Sequence, residues 1–467
     1  MKIYFIYPNS TGQEYIPLGL AHLMAMVDRD RHEIRFFDFT WNHRRDICVR
    51  DVVDFKPDVV AVSARSTEAR FSLRLAGAIK QRLPETHLIF GGPGPTVEPL
   101  RFLQSGAGDG VCIGEGEDAL VRFLNNAERG NTFETAGFWF SADGGVVRNP
   151  LPPLSPDIDH LSPPDRSLFD VRRYIRARNG TLDLLSSRGC PYDCTYCFNK
   201  HTRATVPGYA YRQRGVEPVI QEIESLRSRY PVRRLEFVND IFSLKKEWVE
   251  DFGRLYQKVG RLPFICNMRV ELVDDDMAAL LKKAGCVELQ MGIETGSPQL
   301  RREILGRRTS DKAILRAFSA ARRHKLETFS YNIVGLPYET ESAFRATVNM
   351  NRMARPDHVQ ISIFQPYPGT TLGELCREKG WMGHGYLPAS HKTSSIMKYP
   401  GRSQSLIRKR KIIFRYLAFD HLNYFTRLLM LLFDFLQDFL LPYRRFIPVS
   451  AKRLILRVRE LITLNDQ

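Results

Sequence analysis

Three of the eight cysteines fall within eight residues, in the stretch SSRGCPYDCTYCFNK, at Cys190, Cys194 and Cys197. Thiolates spaced CxxxCxxC on one loop suit a metal centre, and their number narrows the choice. A 4Fe–4S cube offers four iron corners, so three cysteines leave one corner open for another ligand. A structural zinc site wants four closed ligands, and His201 is the residue that could complete a Cys3His set. A third reading, a loop of ordinary buried cysteines, sits poorly with the turn formers Pro191 and Asp193 and with Arg188 two residues before the first thiol. The other cysteines (Cys48, Cys112, Cys266, Cys286 and Cys376) are scattered among apolar neighbours, where a free cysteine serves as a small buried hydrophobe. No disulfide framework is indicated, which suits a reducing compartment.

A loop of this kind needs a scaffold, and apolar runs alternate with amphipathic stretches on both sides of it. Within residues 176–385 the runs TLDLLSS, RRLEFVND, PFICNMR, VELQMGIET, TFSYNIVG and VQISIFQPY predict six βα units, a partial (β/α)6 TIM-type barrel. The cysteines follow its first strand, at the end where such barrels carry chemistry, and an incomplete barrel leaves room for a large substrate. Within residues 1–150 the runs KIYFIYP, HEIRFFDFT, DVVAVSA, HLIFGGPG and DGVCIGEG predict a doubly wound, flavodoxin-like parallel sheet. It ends in a hairpin, AGFWFSADGGVVRNP, with its turn near Asp143, Gly144 and Gly145. Ser63, Gly91, Gly92, Gly94 and Gly114 fall at the carboxyl ends of these strands, where glycines either let a ligand approach the backbone or simply make turns. Between the two units, residues 151–175 form a Pro-rich linker, since six prolines in NPLPPLSPDIDHLSPPDRS rule out a regular element.

The formal charge of +16 is unevenly placed: from Gly401 onward 13 Lys and Arg face 5 Asp and Glu, so +8 lies in the last 67 of 467 residues. Residues 386–467 thus form a basic, amphipathic, helical C-terminal region. Phe425 to Leu441 is nearly continuously apolar, interrupted by Arg427, Asp434, Gln437 and Asp438, which is too short and too charged to span a bilayer. Two readings stay open: a helix resting on an anionic membrane surface, flanked by Arg408 to Lys411 and by Arg444 to Arg445, or a core helix packed over the open barrel. Nucleic acid is disfavoured as a partner, because the basic residues are interleaved with long aliphatics rather than arrayed with aromatics on a binding fold. The opening MKIYFIYPNS has no cleavable signal pattern, so the expected location is the cytoplasm, peripheral to the inner membrane face on the first of those readings.

The cysteine loop, with Tyr196 before its last thiol, resembles the signature of the radical S-adenosylmethionine enzymes. The resemblance implies a 4Fe–4S cluster on Cys190, Cys194 and Cys197, with the amino and carboxylate groups of S-adenosylmethionine on the open iron. It also implies reductive cleavage of that cofactor to a 5'-deoxyadenosyl radical, with Tyr196 against the adenine. MGIETGS resembles the family's fourth-strand motif and makes Glu294 a ligand of the cofactor's ribose or amino group. YNIVGLPYET resembles the fifth-strand motif, in which Ile333 and Gly335 flank the adenine, although Tyr331 stands where glycine is common. FQPYPGT resembles the end of the sixth strand. The Gly-Gly-Glu element after the second strand is absent, and FVNDIF offers Asn239 and Asp240 for the cofactor amine. Arg269, ending the third strand, is placed for the methionine carboxylate. For Asp240, Arg269 and Glu294 a structural salt bridge is the competing role.

The amino-terminal segments IPLGLAHL, VSARS, GGPGPT and GEGE resemble the cobalamin-binding domain of one branch of these enzymes. By that resemblance Ser63 and Thr96 hydrogen-bond the nucleotide tail, and Gly91, Gly92 and Gly114 line its path. The DxHxxG loop that supplies histidine to cobalt elsewhere is missing: His43 follows Asp38 by five residues with no glycine after it, and is expected at the surface. The function implied is methylation of an unactivated carbon in a lipid or natural product. The alternatives are radical cyclisation or oxidative rearrangement with the same cofactors, and a cobalamin-binding sensor module. A small-molecule or lipid substrate and an electron donor of the flavodoxin or ferredoxin type are the expected partners.

Overall fold

The computed structural model describes residues 1–142, 145–383 and 394–440, and two parallel sheets dominate it. In the first, β1 (Lys2–Tyr7), β2 (Glu33–Asp38), β3 (Val59–Ser63), β4 (His87–Gly91) and β5 (Gly110–Cys112) pair in parallel in the order β2-β1-β3-β4-β5. That order puts the topological switch between β1 and β3, so the ligand crevice lies beyond their carboxyl ends. Alternation along the central strands explains the layering: Ile3 and Phe5 are buried on one side, and Tyr4 and Ile6 on the other. The expected hairpin, β6 (Phe138–Ala142) and β7 (Gly145–Arg148), extends this sheet antiparallel from β5. Asp143 and Gly144, where its turn was expected, lie outside the described residues.

The proline-rich segment runs without regular structure to Asp170, whose carboxylate accepts the Arg173 N–H at 3.0 Å and caps the helix Val171–Ala177. The second sheet follows with all six strands parallel: β8 (Thr181–Leu184), then β11 (Arg234–Phe237), β12 (Phe264–Met268), β13 (Cys286–Glu294), β14 (Glu327–Val334) and β15 (His358–Ile363). Two short strands after β8, β9 (Ser187–Arg188) and β10 (Arg212–Gln213), pair antiparallel and bracket the cysteines. The barrel is open, with β8 and β15 as unjoined edges. One hydrophobic core joins the two sheets, running from Ile3, Phe5 and Ala61 to Leu182, Phe237 and Leu289. The Tyr174 hydroxyl bridges them too, reaching Asp38 Oδ2 at 2.5 Å and Thr40 Oγ1 at 3.0 Å.

After the barrel, the helix Gln404–Ala418 packs on β14, β15 and the helix Glu341–Ala354, and the helix Tyr424–Leu440 packs on it in turn. Leu441 and the basic pair Arg444 and Arg445 lie outside the described residues. Among the described residues no helix is long and apolar enough to cross a membrane.

Candidate active site

The cysteine loop is held by its own backbone and by two arginines. Arg203, on the helix Phe198–Thr205, donates to the Cys190 carbonyl at 2.6 Å and to the Tyr192 carbonyl, and pairs with Asp193. Arg269, leaving β12, lies over the Tyr192 ring at 3.7 Å and points a guanidinium N–H at Cys194 Sγ, 3.4 Å away. Its other nitrogens bond Glu271 at 2.7 and 3.1 Å, so it is anchored on one side and faces the thiol on the other. Asn199 Nδ2 lies 3.6 Å from Cys197 Sγ. Burial pushes the Cys197 thiol up to about 12, so a metal centre must displace protons here.

Single-ion binding fits these thiols badly. Among the described residues, the one set of three metal-ligating groups within 4.8 Å of each other is Glu288, Glu327 and His358, near the opposite ends of the strands. Two thiolates on one zinc ion lie no farther apart than about 4.6 Å, twice the Zn–S distance, whereas separate irons of a cluster accept a wider spread. His201 is turned to the Gly369 backbone, away from a Cys3His arrangement.

The strand ends bring the other residues to the same mouth. The parallel pairing of β13 with β14 shifts between Gly292 and Glu294, and this bulge re-aims Glu294, which sits at φ +65°. A non-glycine residue held in the left-handed region marks a site where the surroundings enforce strain. The enforcing group is Arg307, almost fully buried, which bonds Glu294 Oε1 at 3.0 Å, the Tyr196 hydroxyl at 3.2 Å and the Gly292 carbonyl at 2.9 Å. A side chain at Gly292 would strike Glu294 Oε1 at 2.3 Å. Burial pushes the Glu294 carboxyl up, and Arg307 opposes this. Burial likewise works against the Arg307 charge, but Tyr196 and Glu294 hold it protonated. Arg307 could not be picked out from sequence: nothing in ILGRRTS distinguishes it from its neighbour Arg308 except the fold.

Asp240 follows β11 with its side chain exposed; desolvation by the surrounding protein raises its pKa and a hydrogen bond with Asn199 counters this. Ile333 is half-buried near the end of β14, and Gly335 follows at φ +75° with its N–H bonded to Glu339 at 3.0 Å. A Cβ at Gly335 would meet the Tyr399 hydroxyl at 2.8 Å, so the C-terminal region closes over this loop.

At the edge of the first sheet, Gly92 has φ +94°, and a Cβ there would crowd the Ala64 carbonyl at 3.1 Å and Ser63 Oγ at 3.3 Å. Gly91 differs: a Cβ would meet nothing closer than 3.8 Å, which leaves room for a ligand beside the strand. Ser63 is half-exposed, and its hydroxyl makes no hydrogen bond among the described residues. Thr96 is buried, with its hydroxyl donating to the Gly92 carbonyl at 2.9 Å and accepting the Gly114 N–H at 3.0 Å, so it ties the two glycine turns together. Gly114, at φ +85°, abuts Val206 from the barrel half, which a Cβ would meet at 3.0 Å. His43 is partly exposed.

The two edges face each other. Arg188 reaches from β9 to Glu115 at 3.0 Å and to Glu117 at 2.6 Å, and Arg212 of β10 also pairs with Glu115. The GEGE segment of the first sheet thereby grips the strands that bracket the cysteines. The short helix Pro93–Val97 packs on Phe198–Thr205 at the same seam.

Comparison with known proteins accords with this geometry. The Radical SAM superfamily matches residues 184–350 and the B12 binding domain matches residues 6–124. The chain belongs to the cobalamin-dependent radical S-adenosylmethionine enzymes, and its cofactors are a 4Fe–4S cluster, S-adenosylmethionine and cobalamin. It is similar to an uncharacterized methyltransferase of Pyrococcus horikoshii, with 28% identity over 389 residues, covering 80% of this chain and 83% of that protein. It is also similar to the anaerobic magnesium-protoporphyrin IX monomethyl ester cyclase of Rubrivivax gelatinosus, with 25% identity over 81% of this chain and 70% of that one. Its fold matches that of the radical S-adenosylmethionine methyltransferase TsrM from Kitasatospora setae with a TM-score of 0.69, at 20% identity, over 82% of this chain and 77% of that structure.

Proposed function

We propose that this enzyme methylates an unactivated carbon of a lipid or natural-product substrate. The observation that carries the reading is the seam just described: the cysteine loop and the glycine-lined sheet edge are locked face to face, as two cofactors acting on one substrate require. When bound, these groups supply one-electron cleavage of S-adenosylmethionine and a carrier for methyl; the protein supplies orientation and exclusion of water. Cys190, Cys194 and Cys197 hold the cluster, with Arg269 steadying the charge at Cys194. Tyr196, Asp240, Glu294, Ile333 and Gly335 bind S-adenosylmethionine, and Arg307 fixes the orientation of Tyr196 and Glu294. Ser63, Gly91 and Gly92 receive the cobalamin nucleotide, while Thr96 and Gly114 shape the turns beneath it. A reductant of the flavodoxin or ferredoxin type completes the system in the cytoplasm.

Isotope transfer tests the reading. With methyl-deuterated S-adenosylmethionine, over many turnovers, the product should gain three deuterons in a new methyl group. S-adenosylhomocysteine and 5'-deoxyadenosine should form together. The similarity to a cyclase keeps a second reading in view, a rearrangement without methyl transfer. Unlabelled product with deoxyadenosine alone would select it and exclude methylation.

A further inference from the structure

The last described helix, Tyr424–Leu440, is folded with its polarity inverted. Thr426, Met430, Asp434 and Asp438 recur every four residues and face the protein: Thr426, Met430 and Asp438 are buried, and Asp434 nearly so. On the facing helix, Gln404–Ala418, a basic stripe receives them: Arg408 and Lys411 both pair with Asp438, and Arg415 pairs with Asp434 through both its Nε, at 2.7 Å, and a terminal nitrogen. The outward face carries Phe425, Leu429, Leu432, Leu436 and Phe439, with Tyr424 and Phe435 beside them; Phe425 is 68% exposed and Phe439 60%. A core helix does the reverse, burying its apolar stripe and showing its carboxylates to water. Contiguous exposed apolar surface of this kind marks an interaction face.

We propose that this face seats the protein on an anionic lipid bilayer, with the helix lying in the plane of the headgroups. Two features on the chain select that occupant. The inward carboxylates are neutralised by the basic stripe, and Arg402 and Arg410 are taken up by Glu339 and Glu341, so the rest of the positive excess in the last 67 residues is what attracts acidic headgroups. The same charge disfavours a second copy of this chain, which would bring two such regions together. Further, the chain beyond the described residues starts where the apolar stripe ends, and residues 441–467 hold six Lys and Arg against two Asp and Glu, with long aliphatics between them. An aromatic-rimmed apolar face bounded by cationic chain is the composition that headgroup and acyl boundary reward together.

Vesicle sedimentation with the full-length protein tests this without reference to catalysis. Binding to vesicles of phosphatidylcholine with phosphatidylglycerol is expected, weakened by salt and much reduced on phosphatidylcholine alone. The combined substitution Phe425→Ser, Leu432→Ser and Phe439→Ser should lower partitioning at least about tenfold while leaving cluster content and cobalamin binding unchanged. As a variant that keeps the face apolar, Phe435→Trp should add emission that shifts to the blue with anionic vesicles and is quenched by brominated lipid. Absent binding, an undiminished triple variant, or added emission from Phe435→Trp that is indifferent to lipid would each overturn the proposal. So would a solution dimer that the triple substitution splits and vesicles do not displace.

Discussion

Two carboxylates show how much of the chemistry depends on a single neighbour. Glu294 is aimed by Arg307, and replacing that fork with a lysine leaves the Gly292 carbonyl, Tyr196 and Glu294 competing for one ammonium. Arg307→Lys is therefore expected to weaken S-adenosylmethionine binding at least about tenfold by equilibrium dialysis, with iron and sulfide content unchanged; unaltered affinity would remove Arg307 from the cofactor site. Glu339 behaves differently. Burial raises its pKa from 4.5 to about 7, against the pull of the Gly335 N–H, Arg410 and Arg402. A carboxyl whose folded pKa exceeds its unfolded value favours the fold most below 4.5, and that contribution is lost as pH rises through about 7. Glu339→Gln cannot ionise, so its unfolding free energy relative to the parent's, from denaturant melts, should climb across that window by on the order of 3 kcal/mol at its limit. A constant offset from pH 4.5 to 7 would show that Glu339 stays ionised throughout.

The elements were largely legible in sequence, and their exceptions are instructive. All eleven parallel strands stand where apolar runs bounded by Gly, Asn and Asp put them, because strands buried on both faces write themselves as such runs. The bulge at Gly292 and Glu294 was not legible, since it is a register shift against Tyr331 and Asn332 and leaves no local mark. Nor was the orientation of Tyr424–Leu440: its inward face is decided by Arg408, Lys411 and Arg415 on another helix, not by its own hydrophobicity. Thr96, a nucleotide-tail contact by resemblance, has its hydroxyl donating to the Gly92 carbonyl and accepting the Gly114 N–H, which leaves one lone pair for a ligand donor and could not be read from the sequence. Glycines at the sheet edge can be sorted by space. Gly94→Ala would push a Cβ to 2.9 Å from the Arg65 backbone and should cost about 1–3 kcal/mol of stability. Gly91→Ala has room to fold normally, yet should weaken cobalamin binding in a spectroscopic titration, because the added methyl would stand in the path proposed for the nucleotide. Equal binding by Gly91→Ala and parent would move that path elsewhere.

At the scale of the molecule, the function proposed needs two cofactor sites held at a fixed separation, and the seam at Arg188 is where that separation is set. Glu117 is buried, and although burial pushes its carboxyl up, Arg188 brings it below the usual carboxylate range. Removing the arginine strands a buried charge, which typically costs about 3–5 kcal/mol, whereas removing both partners costs far less. Arg188→Met should therefore lower the unfolding midpoint sharply, and Arg188→Met combined with Glu117→Gln should recover most of the loss. Stability alone would make the seam mere packing, so the decisive readout is coupling. In the double variant each half keeps its own residues for its cofactor, but the grip of GEGE on the cysteine loop is reduced to Glu115 and Arg212. Cluster content and cobalamin affinity should then stay near the parent's, while deoxyadenosine formed per methylated product rises several-fold as cleavage outruns transfer. A double variant as well coupled as the parent would mean that the shared core around Ile3, Phe5 and Phe237, not the ionic seam, fixes the distance between the sites.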